Sequence, residues 1–187
     1  MPEVRIVGGA LRGRRIAVPD KGVRPTSARL REALMSILGP QVNGAHVLDC
    51  FAGSGAVGFE LLSRGAQSVV FIDKSGSTAK HLKAVAERLS VDDSVQVVRG
   101  PATAHLKRLA AVDRQFDILF FDPPYDLGLL QPALQLAPTL MAPGAWVIAE
   151  HSATETVDDV AGLAVAEVRC YGGSAVTLMR ERPSGGV

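Results

Sequence analysis

The chain contains little cysteine and no long apolar segment. Its two cysteines, Cys50 and Cys170, lie far apart and outside any CxxC spacing, which argues against a disulfide framework or a zinc site. Its four histidines do not show HExxH spacing, so no metal site is predicted. No apolar run approaches the roughly 20 residues of a membrane helix, and arginines occupy the positions where a signal peptide needs its apolar region. We therefore expect a cytoplasmic protein with no membrane partner.

Charge is nearly balanced overall but is unevenly distributed. The 187 residues carry a net charge of +1, yet residues 1–39 hold eight Lys and Arg against three acids, and the remainder has four excess negative charges. The hydrophobic content of 47% is enough to bury the core of one domain with at most a short appendage. A basic arm on a mildly acidic body favours contact with a polyanion over a merely solvated surface, because phosphates supply the sequence-independent part of nucleic-acid affinity.

The apolar pattern predicts a hairpin and a helix, followed by alternating strands and helices. The helix extends from Thr26, a candidate N-cap, to Gly39, because apolar residues recur there at helical spacing. Near-continuous apolar runs alternate with helical stretches beyond Gly44, and two further strands form a closing hairpin. The predicted strands are residues 4–8, 13–18, 46–50, 68–73, 95–98, 117–122, 145–150, 163–169 and 175–179.

This alternation predicts a doubly wound α/β fold. Apolar strands separated by helices are typical of a parallel sheet that helices cover on both faces. We expect seven strands in the main sheet, mostly parallel, with the last strand antiparallel. We also predict two units: residues 1–24 as a basic hairpin extension and residues 25–187 as the sheet domain. No obligate protein partner is evident.

A glycine-rich turn follows the first strand of the predicted sheet. Residues 53–58 match GxGxxG, a pattern that brings backbone close to a nucleotide-like cofactor but does not separate NAD from S-adenosylmethionine. Asp49 precedes the glycines, where a carboxylate would repel a pyrophosphate but attract an ammonium, which favours S-adenosylmethionine. Asp73 ends the next strand, where it can accept ribose hydroxyls. The backbone N–H of Ala102 can contact the adenine. The alternative is a turn that binds no ligand. The predicted cofactor-binding residues are Asp49, Phe51, Ala52, Gly53, Ser54, Gly55, Asp73, Lys74 and Ala102.

A second motif follows the fourth strand of the sheet. The motif is Asp122-Pro123-Pro124-Tyr125, at an edge where open α/β sheets bind ligands. The lone pair of an exocyclic base amine is delocalised into the ring, so two acceptors are needed to turn it toward a methyl donor. The Asp122 carboxylate and the Pro123 carbonyl can each accept one N–H, and Tyr125 can stack on a flipped-out base. The alternative is a rigid turn with Tyr125 filling a surface gap.

Together these motifs resemble the class I S-adenosylmethionine-dependent methyltransferases with a DPPY motif. More narrowly, the chain is similar to the RsmD family, bacterial 16S rRNA guanine-N2 methyltransferases of the guanine 966 class. The similarity covers nearly the whole chain and includes two blocks outside the methyltransferase core, residues 5–14 and residues 24–32. The resemblance implies a Rossmann-like methyltransferase fold and a target-base cleft beside Arg24, Thr26 and Arg29. It further implies that rRNA phosphates are contacted by Arg5, Arg12, Arg14 and Arg15.

The sequence thus predicts an enzyme that methylates guanine N2 in 16S rRNA, either as naked RNA or within the 30S subunit. Its predicted catalytic residues are Asp122, Pro123, Pro124 and Tyr125. Two alternatives stay open at this point. One is a non-catalytic rRNA-binding assembly factor with a relic cofactor pocket, and the other is an amino-methyltransferase that acts on DNA adenine.

Overall fold

A computed structural model describes residues 3–19, 26–125 and 127–183. A two-stranded N-terminal hairpin precedes an α/β domain. The hairpin strands are β1 (Glu3–Arg5) and β2 (Arg15–Ala17), shorter than the predicted 4–8 and 13–18. The strands of the main sheet are β3 (His46–Cys50), β4 (Ser68–Asp73), β5 (Val95–Arg99), β6 (Phe116–Phe121), β7 (Met141–Ser152), β8 (Leu163–Tyr171) and β9 (Ser174–Glu181).

The order of the seven strands is β5-β4-β3-β6-β7-β9-β8. The first five strands in this order are parallel, and β9 runs antiparallel between β7 and β8. The predicted doubly wound, mostly parallel sheet with an antiparallel last strand is confirmed. The described helices are α1 (Ala28–Leu38), α2 (Ala56–Ser63), α3 (Gly76–Leu89), α4 (Ala102–Ala111) and α5 (Leu130–Leu134).

Helices cover both faces of the sheet, and its central strands are accordingly rich in apolar residues. One core cluster contains Phe71 and Phe120 together with residues of α1, α2 and α3. The other cluster contains Leu119 and Phe121 with residues of α4 and α5. Within the described ranges, no helix combines the length and apolar character needed to cross a membrane.

The start of α1 differs by one residue from the prediction. Ser27, rather than Thr26, is the N-cap, and its Oγ accepts a hydrogen bond from the N–H of Leu30 at 3.2 Å. Both hydroxyl residues suit an N-cap by composition, so spacing alone did not separate them. The Thr26 side chain is thereby left available for a contact in the site described below.

The N-terminal hairpin packs against the α/β domain through its apolar side chains and through hydrogen bonds to the buried carboxylate of Glu60. Ile6 and Ile16 are almost fully buried in the cluster that contains residues of α1. Glu60 of α2 is 0% exposed and accepts hydrogen bonds from the N–H groups of Val7 and Gly8 at 2.8 and 2.9 Å. Arg31 of α1 lies 4.0 Å from Glu60. The hairpin strands are therefore attached to α1 and α2 by buried contacts.

Candidate active site

A cleft of about 830 Å³ opens at the carboxyl edge of the sheet. Among the described residues, the acidic ones that line it are Asp49, Asp73, Asp122 and Glu150. Each lies at, near or just beyond the carboxyl end of β3, β4, β6 or β7, which is where parallel sheets place ligand-binding groups. We call Asp49, residues 51–58 and Asp73 the glycine-loop half. Residues 122–125 together with Glu150 form the proline-turn half.

The glycine-loop half begins with backbone that leaves β3 in a left-handed conformation. Phe51 has φ +66°, a left-handed conformation that is uncommon for a residue with a side chain and that the surrounding structure must hold in place. Gly55 has φ +74° and begins α2 as its N-cap. A Cβ at Gly55 would lie 2.5 Å from Leu82 and 2.7 Å from Phe59, so this turn requires glycine.

Asp49 and Asp73 are oriented by backbone N–H groups. Asp49 Oδ2 accepts from the N–H of Gly58 at 3.0 Å. Asp73 Oδ2 accepts from Gly53 at 3.0 Å, and Asp73 Oδ1 accepts from Ser75 at 2.8 Å. Each carboxylate oxygen has more than one acceptor site, so both side chains keep acceptor capacity that faces the cleft.

The Asp49 carboxyl is held in a poorly hydrated position. Its residue is 2% exposed, and its pKa is raised from 3.8 to about 8, mainly by burial and to a smaller extent by the charge of Asp73. The hydrogen bond from Gly58 opposes this rise. A carboxyl group in this position gains most from a cationic ligand, because the ligand would replace the lost hydration with an opposite charge.

The proline-turn half presents Asp122 beside α1. The Thr26 hydroxyl donates to Asp122 Oδ2 at 3.4 Å. Burial raises the pKa of the Asp122 carboxyl well above its usual value, and the charges of Glu150 and Asp49 raise it further. The hydrogen bond from Thr26 lowers that pKa. Thr26 thus stabilises the ionised form of the carboxylate that the sequence singled out.

Tyr125 is positioned by Glu150 through its hydroxyl group. The phenol donates to Glu150 Oε1 at 3.4 Å, and the nearby side chain of Ser174 in β9 lowers the pKa of the phenol. Burial raises the pKa of Tyr125 to about 12, and the negative charges of Glu150 and Asp122 add to the rise. The phenol therefore stays protonated and can act as a donor.

The cleft brings together most of the predicted site residues. Of the predicted cofactor-binding residues, Gly55 does not line the cleft, because Leu82 and Phe59 enclose it. The predicted residues that line the cleft are Thr26, Asp49, Phe51, Ala52, Gly53, Ser54, Asp73, Lys74, Ala102, Asp122, Pro123, Pro124 and Tyr125.

The prediction missed Glu150 and Ser174, which also line the cleft. A signal for Glu150 was present, because it ends the run 145–150 that was predicted as a strand, and the same rule had selected Asp49 and Asp73. Ser174 follows a Gly-Gly turn after β8 and carries no comparable signal, because its position depends on the antiparallel return of β9.

The predicted RNA-binding arginines separate into groups. Arg5 and Arg12 line a second cleft of about 430 Å³, whose walls include Thr26 and Ser27, two residues that it shares with the larger cleft. Arg14 donates to a carbonyl of α3, and Arg15 pairs with Glu3. Arg29 is exposed on α1 and lines neither cleft. Arg24 lies outside the described residues.

A sheet of this strand order, with a glycine loop after β3 and an acidic proline turn after β6, defines the Rossmann-like methyltransferases. A solved structure titled "Putative methyltransferase yhhF" from Escherichia coli matches with a TM-score of 0.84 and 33% identity, covering 96% of this chain and 98% of that chain. In Bacillus subtilis, "Putative rRNA methyltransferase YlbH" is 30% identical over 183 residues, which are 96% of this chain and 100% of the relative.

A further relative is "Ribosomal RNA small subunit methyltransferase D" of Escherichia coli strain K12. It is 39% identical over 135 residues, which cover 72% of this chain and 66% of the relative. The model of the family described as conserved hypothetical protein 95 matches residues 4–180. The chain belongs to this family, the RsmD family, as its sequence motifs indicated.

Proposed function

We propose that the chain is a small-subunit rRNA methyltransferase that transfers a methyl group to the exocyclic N2 of one guanine in 16S rRNA, of the guanine 966 class. The observation that carries this proposal is the meeting of the glycine-loop half and the proline-turn half in one cleft. Relatives whose names give rRNA as substrate support the choice of RNA over DNA.

The cofactor is S-adenosylmethionine, and the donors and acceptors of the glycine-loop half fit it. Asp49 is a buried carboxyl that would bind an ammonium group, and Asp73 offers acceptors for ribose hydroxyls. The N–H of Ala102, the first residue of α4, would contact the adenine. When bound, the cofactor supplies an electrophilic methyl group on a sulfonium. The remaining proposed cofactor-binding residues are Phe51, Ala52, Gly53, Ser54, Gly55 and Lys74.

In the proline-turn half, Asp122 and Pro123 would orient the target amine. The Asp122 carboxylate and the Pro123 carbonyl would each accept one N–H, which draws the nitrogen toward tetrahedral geometry and exposes its lone pair. Pro124 keeps this backbone rigid, and the ring of Tyr125 would stack on the flipped-out base. The amine loses one proton when its new bond to carbon forms. We assign that proton to solvent and name no general base.

The basic N-terminus would hold the RNA. We propose that residues 1–24 form an RNA-binding extension of the methyltransferase domain, residues 25–187. Arg5 and Arg12 line the smaller cleft, which shares Thr26 with the larger one, so RNA bound there would lead into the site. Arg14 and Arg15 would contact phosphates farther out. The target-base region would include Arg24, Thr26 and Arg29. The substrate is 16S rRNA, naked or in the 30S subunit, and the place of action is the cytoplasm.

Transfer of a labelled methyl group tests the proposal. Unmethylated 16S rRNA and 30S subunits are incubated with labelled S-adenosylmethionine and the wild type, and nucleosides from the product are separated. We expect label in N2-methylguanosine. In Asp122→Ala, kcat should fall by about a thousandfold, since losing one preorganised group of this kind costs about 10²–10³. Cofactor affinity, measured by calorimetry, should stay within about twofold of the wild type because the glycine-loop half is untouched.

Asp93→Ala is the matched control, since Asp93 is an exposed carboxylate that does not line the cleft. This variant should transfer methyl groups at the wild-type rate. Retained turnover in Asp122→Ala would refute the role of Asp122. Binding of rRNA without cofactor binding or label would instead indicate an assembly factor, and label in duplex DNA adenine would indicate the DNA enzyme.

A further inference from the structure

Asp122 and Glu150 lie side by side near the carboxyl ends of the neighbouring parallel strands β6 and β7. Phe121 of β6 is paired in register with Ala149 of β7, so the next residue of each strand falls at the same level. The residues just before this pair, Phe120 and Ile148, belong to the same core cluster. Because side chains alternate between the two faces of a sheet, Asp122 and Glu150 lie above the same face as Phe120 and Ile148. Both line the larger cleft.

Glu150 is costly to keep at this position. Its residue is 7% exposed, and a carboxylate that is removed from water loses hydration that its neighbours must replace. The Tyr125 hydroxyl donates to it at 3.4 Å, a long contact for an O–H donor. Glu150 also raises the pKa of Asp122, as expected for two acidic groups in one poorly hydrated cleft. A ligand that presents two adjacent N–H donors would suit two adjacent acidic groups of this kind.

Among the nucleobases that carry an exocyclic amine, the guanine Watson–Crick edge has this pattern. Its N2 amine and its N1–H are adjacent donors, whereas adenine and cytosine each place a ring-nitrogen acceptor beside their amine. Two neighbouring carboxylates therefore match guanine and oppose the other two bases. Resting on the proposed function, we infer that Glu150 accepts the N1–H of the target guanine while Asp122 accepts an N2–H, so that Glu150 selects guanine over adenine.

A base analogue with a different hydrogen-bonding pattern at N1 tests this inference. RNA is made with either guanine or 2-aminopurine at the target position. The analogue keeps the 2-amino group but has an acceptor at N1. It is presented as naked 16S rRNA or as reconstituted 30S subunits, whichever form the wild type methylates. We expect the wild type to prefer guanine by about 10–100-fold in kcat/KM, the range of one base-specific contact.

In Glu150→Gln the side-chain amide can donate to the N1 acceptor of 2-aminopurine. The guanine preference should then fall by about tenfold or more, or reverse. Tyr125→Phe is the matched control, because it removes the hydroxyl that contacts Glu150 but keeps the aromatic ring. It should lower kcat/KM on both RNAs by a similar factor and leave the preference unchanged.

Three results separate failure of this inference from failure of the proposed function. If Glu150→Gln slows both RNAs equally, Glu150 acts through Tyr125 and the inference is overturned, whereas the proposed function stands. If Glu150→Gln does not fold, equal rates of the wild type on the two RNAs overturn it as well. If the wild type methylates neither RNA, the proposed function itself fails.

Discussion

The two halves of the cleft hold their acidic groups by different means. In the glycine-loop half, Asp49 and Asp73 accept hydrogen bonds from backbone N–H groups that are at most 20 positions away in the chain. In the proline-turn half, Asp122 accepts from the Thr26 hydroxyl, 96 positions away, and Glu150 accepts from Tyr125, 25 positions away. The first half is therefore built from local backbone, and the second depends on contacts between distant elements.

The long-range contacts of the proline-turn half continue to the N-terminal hairpin. Arg31 donates to the carbonyl of Thr26 at 2.6 Å and to the carbonyl of Arg5 at 2.9 Å. Thr26 in turn donates to Asp122. Strand β1, which carries Arg5, is thus connected to the Asp122 carboxyl through the buried guanidinium of Arg31 and through Thr26. We expect perturbations of this path to change the proline-turn half while the glycine-loop half is unaffected.

The largest effect is expected when Arg31 is replaced by Met. Its side chain is 3% exposed and faces the buried carboxylate of Glu60, so the change removes a buried cation and leaves two carbonyls without their donor. The free energy of unfolding should fall by about 3 kcal/mol, the lower end of the cost of breaking a buried ion pair. Urea denaturation measures this loss. At a temperature where the variant is folded, kcat should fall while the cofactor Kd stays within about twofold.

Arg64→Met is the matched control for Arg31. Arg64 also contacts Glu60, at 3.0 Å, but its side chain is 30% exposed and, within the described part of the chain, it makes no hydrogen bond to Thr26. This variant should lose about 1 kcal/mol or less and keep the wild-type kcat. If Arg31→Met weakened cofactor binding as much as it lowered kcat, the two halves would not be independent.

A smaller effect, confined to the other half, is expected for Asp49→Asn. Loss of the buried charge should weaken S-adenosylmethionine binding by about 10–100-fold, or about 1.4–2.7 kcal/mol. Because the Asp49 pKa is about 8 without cofactor, wild-type affinity should rise with pH by up to about tenfold per unit below that value. Calorimetry across pH measures both effects. The variant should lose the pH dependence, and an unchanged slope would contradict the role of Asp49.

Asp49→Asn is expected to weaken cofactor binding but to increase the stability of the cofactor-free protein at high pH. The native carboxyl keeps its proton up to a pH of about 8, whereas the unfolded carboxyl releases it near its ordinary pKa of 3.8. The contribution of Asp49 to the free energy of unfolding is therefore present at low pH and is lost as pH rises between these values. At pH above this window the cofactor-free variant should melt higher than the wild type, by about 2–4 °C per kcal/mol.

The same difference explains which residues the sequence could predict. Asp49, the glycines and Asp73 occur within one strand-loop-helix-strand unit, so their order in the chain is also their order in space, and the strands 46–50 and 68–73 match β3 and β4. Asp122 was found because its prolines mark it. Glu150 has only the weaker mark of ending the predicted strand 145–150, and Arg31 has no local mark. Their roles arise from the register of β6 with β7 and from the packing of α1 on α2, which depend on the tertiary fold.

The smallest effect is expected for Thr26→Val, which sharpens the comparison because it removes one hydroxyl from the proline-turn half. The Thr26 hydrogen bond lowers the Asp122 pKa, so its loss should raise that pKa and reduce the ionised fraction at a given pH. We expect kcat to fall by about 3–10-fold at neutral pH, the cost of one hydrogen bond, and the acid limb of the pH–kcat profile to move to higher pH. Thr26→Ser keeps a hydroxyl and should restore the wild-type profile. A uniform loss of kcat with no movement of the acid limb would show that Thr26 acts by packing and not through the Asp122 carboxyl.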